Sequence, residues 1–218
     1  NDQNPNGSAS DIEEFDLNVP ELKECEVTLS KTSLNIEPGE VGTLVATFMN
    51  DGNTDWSVNV GFTGDQSSWA SVDGASSGML PYNDGDGEKE FTIEITPDDS
   101  IEANSQKSIT IQGKDGNLEK CSADVTITVG QSHGASISLG NTALYNIEPG
   151  EDTSTTLTVT NQGNGPDTFR ITASTPPSGW TVSLESSTIS TQSRHGNDKS
   201  GTIEVSISLP TGALATEE

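Results

Sequence analysis

The chain has 218 residues, enough for one large or two ordinary domains, although only 29% of them are hydrophobic and 5% aromatic. Its 34 acidic and 9 basic residues give a formal net charge of −25, which makes nucleic acid and anionic membranes poor partners. No apolar run is long enough to cross a bilayer, so we expect no membrane insertion by this chain.

The N-terminal region, residues 1–20, is predicted to be disordered at first and then strand-like. Within residues 12–19, the apolar Phe15, Leu17 and Val19 alternate with polar residues, as a strand requires. This stretch resembles the strand-like "ADVTITVG" that contains Val129, and Val19 precedes Val129 by 110 residues. Residues 12–19 therefore read as a closing strand without a domain before it.

An internal repeat organises the rest of the chain. The phrase "NIEPGE" occurs at residues 35–40 and again at residues 146–151, an offset of 111, and two tryptophans, Trp69 and Trp180, share that offset. Asn53 and Asn164 share it as well. The repeat predicts two homologous domains, one over residues 21–131 and one over residues 132–218.

Each repeat has the pattern of a β-sandwich. Stretches such as "TLVATFMN" and "TLTVTN" alternate apolar and polar residues, and Gly, Pro, Asn and Asp occur between them at short intervals. Pro38-Gly39 suits the centre of a type II turn, and Asp115-Gly116 suits a hairpin. We therefore predict an all-β protein made of two tandem immunoglobulin-like sandwiches.

The two cysteines lie near the two ends of the first repeat. Cys25 and Cys121 suit a disulfide between the first and last strands of that domain, and the alternative is a pair of buried free thiols. The second repeat has no cysteine, so the fold itself does not require the bond.

The second repeat is shorter than the first. The first continues for more than thirty residues after Pro97, whereas the sequence continues for only eight after the matching Pro210. The second domain is thus expected to lack its last strands. Three explanations stay open: the chain is a piece of a longer array, the second domain is simply smaller, or the N-terminal strand with Phe15, Leu17 and Val19 completes the second domain of a neighbouring copy.

Few residues are candidates for a catalytic or metal-binding site, and we expect no enzyme activity. His133 and His195 have no nucleophile or second ligand at a recognisable spacing. Asp84, Asp86 and Glu88 lie at alternate positions in "NDGDGEKE". Carboxylate oxygens at this spacing could bind calcium, which is the one cofactor that the sequence suggests. The alternative is a solvated acidic turn.

The three tryptophans differ in whether the other repeat has a tryptophan at the matching position. The shared offset of Trp69 and Trp180 favours a common structural position over sugar stacking. Trp56 has no counterpart, so it is the better candidate for a surface contact.

The corner "IEPGE", the stretch "LTVTNQGNGPDTFRITAS", "PSGWTVSL" and the closing "TIEVSISLP" resemble prokaryotic immunoglobulin-like repeats. Such repeats occur in large archaeal and bacterial surface proteins and beside carbohydrate-active domains, as in CARDB-like and alpha-galactosidase-associated modules. The resemblance implies a secreted or cell-surface structural protein, a spacer, adhesion or envelope component from an archaeon or a salt-adapted bacterium. Its partners would be other surface domains, copies of itself or glycans. A carbohydrate-binding accessory module of a secreted enzyme is the alternative.

Overall fold

The computed structural model describes residues 15–82, 87–142 and 147–213. In this part of the chain the regular structure is almost entirely β: there are fifteen strands and one short 3-10 helix, Ser67–Trp69. No helix among these residues is long and apolar enough to span a membrane.

The strands, numbered in chain order, are β1 Cys25–Leu29, β2 Ser33–Ile36, β3 Gly42–Asn50, β4 Trp56–Thr63, β5 Ala70–Val72, β6 Ser77–Leu80, β7 Glu88–Ile95, β8 Gln106–Asp115, β9 Leu118–Val129, β10 Ala135–Leu139, β11 Asp152–Asn161, β12 Asp167–Arg170, β13 Thr181–Leu184, β14 Thr188–Thr191 and β15 Ser200–Ser208.

Strands β1 to β9 form the first sandwich, which we call unit 1. One sheet has the order β1-β3-β7-β5 and the other the order β2-β9-β8-β4-β6. All pairs are antiparallel except β2 with β9, which run parallel. Apolar side chains from alternate positions meet between the sheets, and the largest fully buried ones are Phe48, Leu80, Ile93, Ile95, Ile109, Ile111 and Ile127.

Strands β10 to β15 form the second sandwich, unit 2. A four-stranded sheet of order β10-β11-β15-β13 is covered by only the two-stranded sheet β12-β14. Its core is correspondingly small, with Leu157, Val159, Ile189, Ile203 and Val205 buried. The prediction of an all-β chain with two tandem sandwiches is confirmed, while the domain limits at residues 20/21 and 131/132 stay predictions.

The strands of the two units correspond one to one over most of the repeat. Strands β1, β3, β4, β5, β6 and β7 match β10, β11, β12, β13, β14 and β15 in order and in pairing. Nothing in the described part of unit 2 matches the hairpin β8–β9, which forms the centre of the second sheet in unit 1. The incompleteness of the second domain itself stays a prediction.

The repeated "EPGE" phrase is a turn in both units. Gly39 has a φ of +81° and Gly150 a φ of +87°, which favours glycine. The amide of Glu40 donates to the carbonyl of Glu37 at 3.1 Å, and the amide of Glu151 donates to that of Glu148 at 3.0 Å. The predicted Pro-Gly turn is therefore confirmed, and so is the hairpin at Asp115-Gly116, which joins β8 to β9.

Cys25 and Cys121 are joined by a disulfide with a Cα–Cα distance of 5.4 Å. The bond connects β1, at the edge of one sheet, to β9 in the facing sheet. It therefore links the two layers of unit 1 through the β8–β9 hairpin, which has no counterpart in the described part of unit 2.

The expectation that Trp56 makes a surface contact is wrong. Trp56 is only 3% exposed and opens β4, where it pairs with Leu80 and packs into the core of unit 1. It is not repeated because Asp167 stands at the matching position of β12, paired with Thr191. Trp69 and Trp180 do occupy matching positions, each donating its backbone amide back three residues, to Gln66 and Pro177.

Candidate functional site

A short polar motif of the form Asn-x-Gly-Asn follows the long central strand of each unit. It reads "NDGN" at residues 50–53 and "NQGN" at residues 161–164. Its first residue, Asn50 or Asn161, is fully buried. Because a buried carboxamide must find partners for both its oxygen and its NH₂ group, the motif also fixes the backbone around it.

The first asparagine holds the loop that leaves the strand. In unit 1 the Nδ2 of Asn50 donates to the carbonyls of Thr54 and Leu80, and its Oδ1 accepts the amide of Gly52 at 2.9 Å. In unit 2 the Nδ2 of Asn161 donates to two carbonyls in the same way. The two units are therefore built alike at this corner.

The second asparagine holds the segment that enters the unit. The Oδ1 of Asn53 accepts the amide of Leu22 at 2.7 Å, and its Nδ2 donates to the carbonyl of Pro20 at 3.1 Å. The side chain of Asn164 makes the same two bonds, to the amide of Ser132 at 2.8 Å and to the carbonyl of Gly130 at 3.0 Å. Residues 20–24 therefore enter unit 1 as residues 130–134 enter unit 2.

The glycine of the motif permits this close approach. A Cβ atom at Gly52 would lie 2.0 Å from the carbonyl oxygen of Leu22, and one at Gly163 would lie 2.4 Å from that of Ser132. Real Cβ atoms do not come this near to backbone, so only glycine fits at either position. The sequence carried a signal for this site in its repeated Asn-x-Gly-Asn letters, and only the second asparagine was noticed as part of the repeat.

The joint between the units adds a second layer of contacts around Asn164. The loop that joins β7 to β8 reaches from unit 1 to unit 2: the Nδ2 of Asn164 donates to the carbonyl of Ile101 at 3.2 Å, and the amide of Ala103 donates to the carbonyl of Asn164 at 2.9 Å. The hydroxyl of Ser193 also donates to Glu102 at 2.5 Å. These contacts bury Asn164 completely.

Arg194 and His195 complete this joint. The Nη2 of Arg194 lies 3.3 Å from a carboxylate oxygen of Asp99, and the Nε2 of His195 lies 3.1 Å from the carbonyl oxygen of the same residue. His195 thus takes part in contacts between the two units.

The inner face of β10 is open. We define this open face by the side chains of Ala135, Ile137 and Leu139, which alternate along the strand on the side of the core. Ile137 is 63% exposed and Leu139 is 43% exposed. In unit 1 the matching Cys25 and Val27 are buried and Leu29 is partly buried, because β9 lies across from β1.

The candidate donor segment, residues 15–19, lies at the other end of the molecule with its apolar side chains in solvent. Phe15, Leu17 and Val19 are 85%, 79% and 66% exposed. The segment is not part of a sheet. Contiguous apolar side chains left in water commonly mark a surface that binds a partner.

A polar cleft of about 520 Å³ lies beside the first residues of β12 and the last residues of β14. Asp167 and Thr191 line it in the places that Trp56 and Leu80 fill in unit 1, and His133 and Asp198 stand at its rim. The Nδ1 of His133 lies 2.7 Å from Asp167, and this hydrogen bond holds the pKa of the Asp167 carboxyl below its usual value. The buried Thr191 hydroxyl has no protein partner within the described ranges.

The predicted calcium site cannot be assembled from described residues. Asp84 and Asp86 lie outside them, and Glu88 is an exposed residue at the start of β7. Elsewhere in the described chain, no group of three or more His, Cys, Asp or Glu side chains is arranged to hold a metal ion. Calcium binding by Asp84, Asp86 and Glu88 stays a prediction.

No protein-family model and no curated protein matches this sequence. Among solved structures, domains 4 and 5 of the S-layer protein SbsC are 21% identical over 51% of this chain and 54% of that structure, with a TM-score of 0.33, so the match spans only about half of that structure. Domains 5–6 of the same protein are 18% identical, covering 90% of this chain and 88% of theirs, with a TM-score of 0.34. A PapD-like domain of human CEP192 is 15% identical, covering 58% and 96%, with a TM-score of 0.31.

Proposed function

We propose that this protein is an extracellular structural protein, a spacer or envelope component of a cell surface, whose copies join head to tail by donating a β-strand. The observation that carries the proposal is that the described residues contain both an uncovered sheet face and an unpaired apolar segment. Unit 2 leaves the inner face of β10 open, and residues 15–19 present an alternating apolar strand sequence that has no place in unit 1. A strand added to an incomplete sheet gains both backbone hydrogen bonds and apolar burial.

The inter-unit joint supports a mechanical role. Hydrogen bonds from Asn164, Ser193 and Ala103 and the ion pair between Arg194 and Asp99 connect the β7–β8 loop of unit 1 to unit 2. A linker held in this way keeps the direction of one sandwich relative to the next. Successive units would then act as a stiff spacer.

The disulfide supports the location. Disulfides persist in oxidising compartments such as the cell exterior and are rare in the cytosol. The bond between Cys25 and Cys121 closes a sequence separation of 96 residues. A bond that closes so long a loop stabilises the folded domain.

Assembly is tested by comparing the full chain with a variant that lacks residues 1–19. Because each copy carries a net charge of −25, association should be weak in dilute buffer and stronger at about 1 M salt, where the Debye length is about 3 Å. Sedimentation velocity and negative-stain microscopy should show concentration-dependent chains for the full protein and monomers for the truncated one. Monomers of the full protein at every salt concentration, or equal assembly of the truncated variant, would contradict the proposal.

The polar cleft of unit 2 favours a second candidate, a carbohydrate-binding accessory module. Asp167, Asp198 and the unpartnered hydroxyl of Thr191 offer hydrogen-bonding groups to sugar hydroxyls. A glycan array with the full chain and a Thr191→Val variant tests it. A spacer should bind no glycan, whereas binding that Thr191→Val weakens would favour the module.

A further inference from the structure

The disulfide of unit 1 links the segment by which the chain enters the unit to the strand by which the chain leaves it. Cys25 follows Pro20 by five residues, and its partner Cys121 lies on the exit strand β9. The closed loop between the two cysteines has a sequence separation of 96 and contains all of β2 to β8. A pull on the two ends of the unit therefore passes through the disulfide and not through this loop.

Beyond the disulfide, the pull acts on a strand that is already straight. Eight residue steps lead from Cys121 to Val129, all within β9, and they span about 26 Å at about 3.3 Å per residue. Strand β9 pairs with β8 along nearly all of this stretch and with β2 near its end. The segment 121–129 is thus close to its full length before any force acts.

The disulfide and the exit from unit 1 lie at opposite ends of the sandwich. Cys25 pairs with Asn50 at the end of β3, and the β8–β9 turn lies at the same end. Val129 pairs with Ile36 at the other end, where the amide of Gly130 donates to the carbonyl of Ile36 at 2.7 Å. Residues 20–25, the disulfide and residues 121–129, which we call the tension line, therefore cross the whole sandwich.

Only a short part of the tension line can still lengthen. Residues 20–25 enter the unit beside Asn53 and supply five residue steps, at most about 18 Å when fully extended. Tension favours an unfolded state in proportion to the length that unfolding releases. Because so little length is released, tension does little to unfold unit 1 while the disulfide is closed.

Unit 2 has no covalent link of this kind. Both cysteines of the chain lie in unit 1, and Ala135 stands at the position of Cys25. Strands β10 and β15 pair with opposite ends of β11, so Ala135 and Ser208 lie about 30 Å apart along that strand. The 73 residue steps between them extend to about 250 Å. Unfolding of unit 2 therefore releases about 220 Å.

We infer that unit 1 is a strut locked by its disulfide, in which tension runs along β9, and that unit 2 is the part of the chain that lengthens under tension. The inference rests on the proposed structural role, which supplies the tension, and adds which unit responds to it. An oxidising cell exterior keeps the disulfide closed. The loop of residues 99–103, which docks on Asn164, belongs to the closed loop and so lies outside the tension line.

Single-molecule force spectroscopy measures the released length directly. Handles are fixed to the first and last residues of the 218-residue chain, and the oxidised protein is compared with a Cys25→Ser/Cys121→Ser variant. The oxidised protein should give one long step of about 220 Å from unit 2 and no step longer than about 20 Å from unit 1. The variant should add a step of about 330 Å, because the 96 residue steps of the loop are now under tension.

A second attachment point separates the lock from simple stabilisation. The first handle is moved to Ala75, an exposed residue between β5 and β6 and inside the closed loop, by a chemistry that does not use thiols. At least 46 residue steps then come under tension although the disulfide is unchanged. The oxidised protein pulled from Ala75 should give a unit 1 step on the order of 150 Å. This comparison also decides the question if the cysteine-free variant does not fold.

Two results would overturn the inference. One is a long unit 1 step in the oxidised protein pulled from its first and last residues. The other is no unit 1 step in the oxidised protein pulled from Ala75, which would mean that the disulfide only makes the unit more stable. If the steps occur as expected but the full chain never assembles in sedimentation experiments, the lock stands and head-to-tail assembly is wrong. If chains form but oxidised unit 1 lengthens, assembly stands and the lock is wrong.

Discussion

Units 1 and 2 share a sheet plan, a Pro-Gly turn and a buried asparagine corner, yet they differ in how far their edge strands are buried. Val27 on β1 is 9% exposed, whereas Ile137 at the matching position of β10 is 63% exposed. The same alternating sequence is thus a core strand in one unit and a surface in the other. The comparison teaches that strand pattern and backbone pairing decide where a side chain points, while the facing layer decides whether it is buried.

The largest expected difference between the units comes from the disulfide. Replacing both Cys25 and Cys121 by alanine frees a loop of 96 residues and should lower the free energy of unfolding of unit 1 by about 4–5 kcal/mol in the chain-entropy model. Unit 2 has no cysteine and should melt as before. Differential scanning calorimetry of both proteins checks this; an equal shift of both transitions would mean that the units unfold as one body.

Removing the buried asparagine of the Asn-x-Gly-Asn motif should lower the stability of both units by a similar amount. Asn50→Ala and Asn161→Ala each leave two carbonyls and an amide without a partner in a buried place, which should cost about 2–3 kcal/mol of stability. Chemical denaturation, with each unit followed separately by NMR, measures both effects. A large loss in one unit and none in the other would break the structural equivalence on which the comparison rests.

Matching substitutions in the edge strands should have unequal effects on the monomer. Val27→Ser removes a buried side chain and should destabilise unit 1 by about 2 kcal/mol, whereas Ile137→Ser changes a solvent-exposed residue and should alter unit 2 by less than about 0.5 kcal/mol. Urea unfolding of the variant that lacks residues 1–19, at a concentration where sedimentation shows monomers, gives both values. Equal losses would show that β10 is covered in solution.

The smallest expected effect is a pH dependence of unit 2. The hydrogen bond from His133 lowers the pKa of Asp167 in the folded state, so the ionised carboxylate stabilises unit 2 above the unfolded-state pKa of about 3.9. That stabilisation is lost as the pH falls through the lowered folded-state pKa. The melting temperature of unit 2 should therefore drop more steeply below pH 4 in the natural protein than in an Asp167→Asn variant. Identical slopes would contradict the role of this pair.

Much of the fold could be predicted from the sequence because its signals are local. The Pro38-Gly39 turn and the Asp115-Gly116 hairpin follow from backbone preferences of the residues themselves, and the repeat offset of 111 fixed the number of units. These inferences need no knowledge of which side chains meet in space.

The candidate site was harder to predict from the sequence because it depends on contacts between residues that are far apart in the chain. Trp56 was misread as a surface residue because Asp167 replaces it in the other unit, and only the packing against Leu80 shows that it is core. The buried role of Asn50 was missed because an asparagine before Asp-Gly also suits an exposed turn. The uncovered face of β10 could not be predicted either, because it depends on where β12 and β14 pack over β11.

The central claim, that unit 2 is the same sandwich as unit 1 with the inner face of β10 left open, is tested most directly by thiol labelling. Val27→Cys and Ile137→Cys are introduced one at a time into the chain with its disulfide intact, and each is treated with a thiol reagent at a concentration where the protein is monomeric. The account predicts that Ile137→Cys reacts nearly as fast as an unfolded control, while Val27→Cys reacts only through unfolding. Equal protection of the two positions in the monomer would contradict it.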